Sequence, residues 1–259
     1  MNTKSNIFTI LEEAIDLFKS NYKLFLTISF LGAVCGLLFS VGSQMINADD
    51  FINATVLVLI GIITFYFSFR LQIALIIAIN NRYHGFETDF QECYKTAWSY
   101  FWSFVTTSIA LALILGLSIV FILLPVSMEA SLLVIFSCGL IFGGLALVLL
   151  YLFNFAPLVS VLNPEVANNF NKSRELVRSQ PRLVLSMLGL GLIAQLLLYF
   201  IKDMFGGYSF TLNMEISFIF DFLIGVFISP IFMIVYMMVY YKLQSTSNDQ
   251  EGAADTTTE

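Results

Sequence analysis

Charge is scarce in this chain: Asp, Glu, Lys and Arg together make up 12% of its 259 residues, against about 25% in an ordinary soluble domain. A chain with so little charge cannot cover a water-soluble globule, and its 58% hydrophobic residues and mean hydropathy of +0.86 say the same. Histidine occurs once, as His84, which excludes paired-histidine metal ligation and any site needing two imidazoles. Cysteine occurs three times, as Cys35, Cys93 and Cys138, with no CxxC pair. A disulfide framework and a thiolate metal site are therefore not indicated, and the thiols read as small packing groups. No Walker A loop, GxSxG or HExxH stretch is present. We expect no enzyme, no cofactor and no metal. Acids at Glu12, Glu13 and Asp16 interrupt the first apolar stretch, so no cleaved signal peptide is expected.

Long apolar runs are what the chain has in place of charge. A membrane-spanning helix needs about 20 mostly apolar residues, and six windows qualify, at about 24–42, 54–80, 102–124, 131–162, 183–201 and 216–242. An even number puts both termini on one side. Lys4, Lys19, Lys23, Arg82, Lys95, Lys172, Arg174, Arg178, Arg182 and Lys242 all fall on that side, against Lys202 alone on the other. The asymmetry predicts cytoplasmic termini for a multi-pass protein of the cell membrane. The expected fold is all-α, a single six-span domain over 1–242. The stretch 243–259, with Asp249, Glu251, Asp255 and Glu259 and no base, is expected to be a disordered acidic cytoplasmic tail. It accounts for four of the six net negative charges.

Each pair of spans follows a short amphipathic stretch: "IFTILEEAIDLFKSNYKLF", "FETDFQECYKTAWSYFWSF" and "PEVANNFNKSRELVRSQPR". In the first, Ile7, Leu11, Ala14, Ile15 and Phe18 keep helical spacing, with Glu12, Glu13, Asp16 and Lys19 opposite, as in an interfacial helix. A shift of 79 residues superposes Glu13 on Glu92, Ser20 on Ser99, Phe25 on Phe104, Thr27 on Thr106 and Ser29 on Ser108. The layout predicts three units, each a cytoplasmic interfacial helix followed by a hairpin of two spans. Small residues at four-residue spacing, Gly32 with Gly36, Ser108 with Ala112 and Gly116, and Gly139 with Gly143, predict close helix contacts, either within the chain or in a homodimer.

Polar residues inside or beside the runs are the site candidates. Arg174, Arg178 and Arg182, four residues apart and close to Lys172, lie just before span five at the headgroup layer. They read either as an orienting anchor or as a site for anionic lipid headgroups. A basic face alone specifies no base readout, so nucleic acid is not expected. Arg70 lies within span two and must face protein or water with a partner. Asp221 in span six is expected to differ from it in depth, leaving Asn154, Gln195 or carbonyls near Pro157 and Pro230 as alternatives. Pro157 and Pro230 mark kinks or broken helices within spans four and six. Gly85, after His84, suits a helix end.

The six-span layout, with "DFQECYKTAWSYFWSF" before span three and "FAPLVSVLNPEVANNFNKSRELVRSQPRLVL" before span five, resembles the membrane domain fused to some bacterial glycerophosphodiester phosphodiesterases, and related stand-alone six-helix inner-membrane proteins. Lys172, Ser173, Arg174, Glu175, Leu176, Val177 and Arg178 carry the family pattern before span five, while Asn169 and Ser179 stand where that family has Ala and Gly. The resemblance implies a bacterial inner-membrane location. It does not imply phosphodiesterase activity, because the two histidines and the soluble barrel of the catalytic domain are missing from this chain. The function expected from the sequence is a non-enzymatic membrane module that engages anionic lipid or scaffolds a partner. The alternative is a small-solute or lipid transporter or channel with a polar path near Arg70.

Overall fold

A computed structural model describes the backbone over residues 7–45, 51–206 and 218–255, and side chains over 7–43, 52–201 and 218–247. Lys4, Glu259 and the start expected for span six at 216 lie outside these, as do the side chains of Lys202, Asp249, Glu251 and Asp255. The described chain is helical throughout, with no strand. Its helices are α1 (Ile7–Ser20), α2 (Tyr22–Met45), α3 (Phe51–Tyr83), α4 (Phe90–Ser127), α5 (Leu132–Phe153), α6 (Ala156–Leu162), α7 (Asn169–Ser179), α8 (Pro181–Gly206), helical residues 218–223 running into a π-turn (Ile224–Ile228), and α9 (Ser229–Asp255). Six stretches are long and apolar enough to cross a membrane: Tyr22–Ser43, Ile52–Tyr83, Phe90–Ser127, Leu132–Leu162, Pro181–Ile201 and Phe218–Ser247. These are the six windows expected from the sequence, with shifted ends.

The largest shift is at span three. The stretch from Phe90 to Trp102, expected as a separate interfacial segment, is continuous with the span as one helix of 38 residues. It contains no helix breaker. Asp89 Oδ1 accepts the Glu92 N–H at 2.8 Å and starts the helix, and Cys93, Ala97 and Phe101 then bury one face. Before it, α3 ends as Gly85 allows: Gly85 sits at φ +80°, the Phe86 N–H reaches the Asn81 carbonyl and the Gly85 N–H the Arg82 carbonyl.

The prolines act through different backbone devices. Pro157 stands in the first turn of α6, where its missing N–H costs nothing, after α5 has ended at Asn154. Pro230 follows the π-turn, which absorbs the carbonyl that its ring would otherwise strike four residues back. Pro125 lies in the last turn of α4.

The chain divides into two compact units, Met1–Phe101 with Gly189–Val239, and Trp102–Leu188 with Tyr240–Glu259. In the first, α2 lies along α3, where a Cβ on Gly61 would come 3.3 Å from the Phe39 ring and one on Gly42 3.8 Å from Ile60. The π-turn approaches α2 so closely that a Cβ on Gly225 would meet the Ala33 methyl at 3.3 Å. Phe30 meets Phe222 edge-on at 5.6 Å, and Phe18 of α1 stacks with Phe25 at 6.4 Å. On α1, Ile10 and Ala14 are buried while Glu12, Glu13, Asp16 and Lys19 are exposed.

In the second unit, Phe121 stacks on Phe142 at 4.9 Å between α4 and α5. The turn joining these helices places Glu129 at φ 51°. A polar seam ties the shorter helices together: Ser173 donates to the Leu152 carbonyl, Asn169 to Thr107, and the Tyr240 hydroxyl to Asn163.

Two expectations need qualifying. The tail expected from 243 begins as helix: α9 runs to Asp255, Leu243 and Ser247 are buried, Gln180 donates to Thr246 at 2.6 Å, and Ser179 donates to the Leu243 carbonyl at 3.3 Å, while 256–259 lie outside the described residues. These polar partners come from the α7–α8 junction, which sequence spacing does not expose. Nor do the small residues all mark close contacts within the chain. A Cβ added at Gly32, Gly36, Gly116 or Gly139 would have open space, and one at Gly143 would only graze Ile122 at 4.0 Å.

Candidate functional site

Two arrangements gather the charged residues singled out by the sequence. The first is the outer face of α7 with the start of α8. Asn168 caps α7, its side-chain oxygen accepting from the Phe170 and Asn171 N–H groups at 3.1 Å each. Ser173, Leu176 and Val177 form the buried face. That burial fixes the helix rotation and turns Arg174 and Arg178 outward. The chain then breaks at Gln180 and restarts at Pro181, leaving Arg182 exposed in the first turn of α8.

Lys172 differs from the three arginines. It is mostly covered and pairs with Glu175 at 3.2 Å, an i,i+3 contact of about 0.2–0.5 kcal/mol. None of the ion pairs among the described residues involves Arg174, Arg178 or Arg182. Their guanidinium groups present planar forks suited to phosphate oxygens, and a phosphate takes two such N–H bonds at once.

The second arrangement surrounds Arg70. Its Nε donates to the Tyr94 carbonyl at 3.1 Å and its Nη1 to the Tyr66 hydroxyl at 3.0 Å. The guanidinium carbon lies 3.8 Å from the centre of the Tyr94 ring and 5.7 Å from that of Trp98. Tyr66 is edge-on to Trp98 at 6.1 Å and tilted on Phe101 at 5.2 Å. A partly desolvated cation–π contact is worth about 2 kcal/mol and a hydrogen bond from a charged donor about 1.5–3. Together they offset the roughly 2.5–3.5 kcal/mol of placing an arginine at mid-membrane. The partners of Arg70 are thus aromatic and backbone groups of α3 and α4, not the side chains the sequence offered. Tyr66, four residues away on the same helix, was legible from spacing; Tyr94 and Trp98 come from the next helix and carried no signal.

The remaining polar candidates are dispersed. Asn154 caps α5, its N–H on the Leu150 carbonyl at 3.0 Å. Gln195 is exposed on α8. Asp221 borders a cavity of about 250 Å³ with Ala33, Gly36, Ser40 and Phe222. His84 is exposed, with Nδ1 2.9 Å from the Asn80 carbonyl, so Nδ1 carries the proton in that contact. Because Gly61 lies level with Phe39, the α2 residues lining the Asp221 cavity sit some 20 residues from His84 along α3, about 30 Å at helical rise. His84 and Asp221 therefore do not converge on a shared reaction centre.

Comparison with protein-family models, curated proteins and solved structures finds no match to this chain.

Proposed function

We propose that this chain is a non-enzymatic, multi-pass membrane module whose arginine row, Arg174, Arg178 and Arg182, engages anionic lipid headgroups and holds the bundle in register with the membrane surface. One observation carries the reading: Arg174 and Arg178 are exposed on α7 opposite its buried face, Arg182 is exposed at the start of α8, and among the described residues no acidic side chain forms an ion pair with them. The preference of Lys and Arg for the cytoplasmic side places the row, both termini and α1 there. The sequence resemblance to the membrane domain of bacterial phosphodiesterases supports an inner-membrane location. It also supports a layout of three two-span units, each with an amphipathic lead-in at the interface. A scaffold role toward a protein partner or a second copy fits the same architecture.

A transport path along Arg70, Asn154 and Gln195 draws less support, because Tyr66, Tyr94 and Trp98 already engage the Arg70 guanidinium. Native mass spectrometry of the protein released from membranes tests the lipid reading. Wild type is expected to retain a defined anionic lipid that the Arg174→Gln/Arg178→Gln form loses. The same mixed lipids on both forms would reduce the row to a nonspecific anchor.

A further inference from the structure

The last helix is fastened beside the arginine row, and the acidic end of the sequence follows that fastening. α9 is tied to the α7–α8 junction at two points, Gln180 to Thr246 and Ser179 to the Leu243 carbonyl. Ser179 directly follows Arg178, and Arg182 lies two residues after Gln180. Beyond the second tether the sequence carries Asp249, Glu251, Asp255 and Glu259 with no Lys or Arg. Ser247 to Asp255 continues as helix over about 12 Å, and four further residues can add about 13 Å; helix α7 is about 16 Å long, so the row lies within reach of a segment tethered beside its end. Among the described residues no ion pair involves the row, whereas Lys172 is paired with Glu175.

We infer that the acidic segment Asp249–Glu259 is an intramolecular ligand of Arg174, Arg178 and Arg182, competing with anionic headgroups for the same guanidinium groups. The inference rests on the headgroup reading of that row and adds its regulation. Carboxylates occupy the forks when anionic lipid is sparse, and phosphodiester oxygens displace them when it is abundant. Because the tether keeps the acids local, the contact forms at an effective concentration set by a short linker and not by the amount of protein. Being exposed, it weakens as salt rises.

The test uses the full chain in nanodiscs, with a benzoylphenylalanine photocrosslinker at position 254. In neutral phosphatidylcholine, light should link the C-terminal segment to the peptide spanning 169–182. Arg174→Gln/Arg178→Gln/Arg182→Gln should lower the yield about three- to tenfold, the change expected of two or three exposed ion pairs. In a second arm, Asp249→Asn/Glu251→Gln/Asp255→Asn/Glu259→Gln should raise retained phosphatidylglycerol at low anionic content by a similar factor. Crosslinking that ignores the arginines, or lipid retention that ignores the tail acids, overturns the inference. Arginine-dependent crosslinking in a protein that retains no anionic lipid would instead overturn the headgroup reading and leave the tail contact standing.

Discussion

The two ends of each spanning stretch are built differently. In α2 the buried residues are Phe25, Ile28 and Ser29, near its start; in α3 they are Leu71 and Ile73–Ile79, near its end. In α4 most lie between Cys93 and Thr107, with Ser118 and Pro125 further on; in the fourth span they run from Phe155 to Val161, in α8 they are Leu183, Val184 and Met187, and in the last span most run from Ile234 to Ser247, after Val226 and Pro230. In sequence these are mostly the ends flanked by the basic residues. The opposite ends, such as 52–67 of α3, all of α5 and 188–201 of α8, contain no buried residue. An apolar side chain on lipid loses little by leaving protein, since lipid tails are as apolar as Leu. Packing must therefore come from close contact and satisfied polar groups; the close approaches at Gly61 and Gly225 lie in the opposite halves, whereas the fully covered side chains gather toward the base-flanked ends.

The contrast is easiest to break with side-chain truncation. Ile76→Ala or Leu158→Ala, at fully covered positions, should cost about 2–4 kcal/mol in reversible unfolding from mixed micelles. Leu140→Ala and Leu196→Ala, at exposed positions, should stay within about 0.5 kcal/mol. Equal losses at both ends would remove the distinction. Glycines sharpen it from the other side. Gly225→Val forces a branched side chain against Ala33 and should destabilise by about 1–3 kcal/mol, whereas Gly139→Val enters open space and should leave the thermal midpoint nearly unchanged.

Arg70 belongs to this same contrast, because its aromatic box borders the buried half of α3. A double-mutant cycle of Arg70→Met with Tyr94→Leu should show a coupling of about 1–2 kcal/mol; additive losses would mean that the ring and the guanidinium do not act together. The smallest effect is expected at the turn between α4 and α5, where Glu129 holds a left-handed conformation. Glu129→Gly should raise stability by about 0.5–1 kcal/mol in the same unfolding assay.

The spans were legible because lipid imposes a single requirement, an apolar stretch of sufficient length, which Leu132–Leu162 or Pro181–Ile201 displays directly. Arg174 and Arg178 were legible for a similar reason, since four-residue spacing puts them close to one helical face, whereas Arg182 lies past the break at Gln180. What stayed hidden depends on partners distant in sequence. Tyr94 and Trp98 reach Arg70 only after the loop at Gly85 turns the chain, and Gln180 holds Thr246 across 66 residues. Nothing in the polar stretch after Lys242 announces that it continues as docked helix. The open glycines misled in the opposite direction, because four-residue spacing marks a surface able to pack without naming what packs on it.

The most direct measurement is the thermal midpoint of the protein in nanodiscs of phosphatidylcholine and of phosphatidylglycerol, for wild type and for Arg174→Gln/Arg178→Gln/Arg182→Gln. If the arginine row couples the packed end to anionic headgroups, the anionic lipid raises the wild-type midpoint by several degrees, as expected from about 1 kcal/mol per base, and leaves the variant unmoved. An equal rise in both proteins, or none in either, would contradict the account.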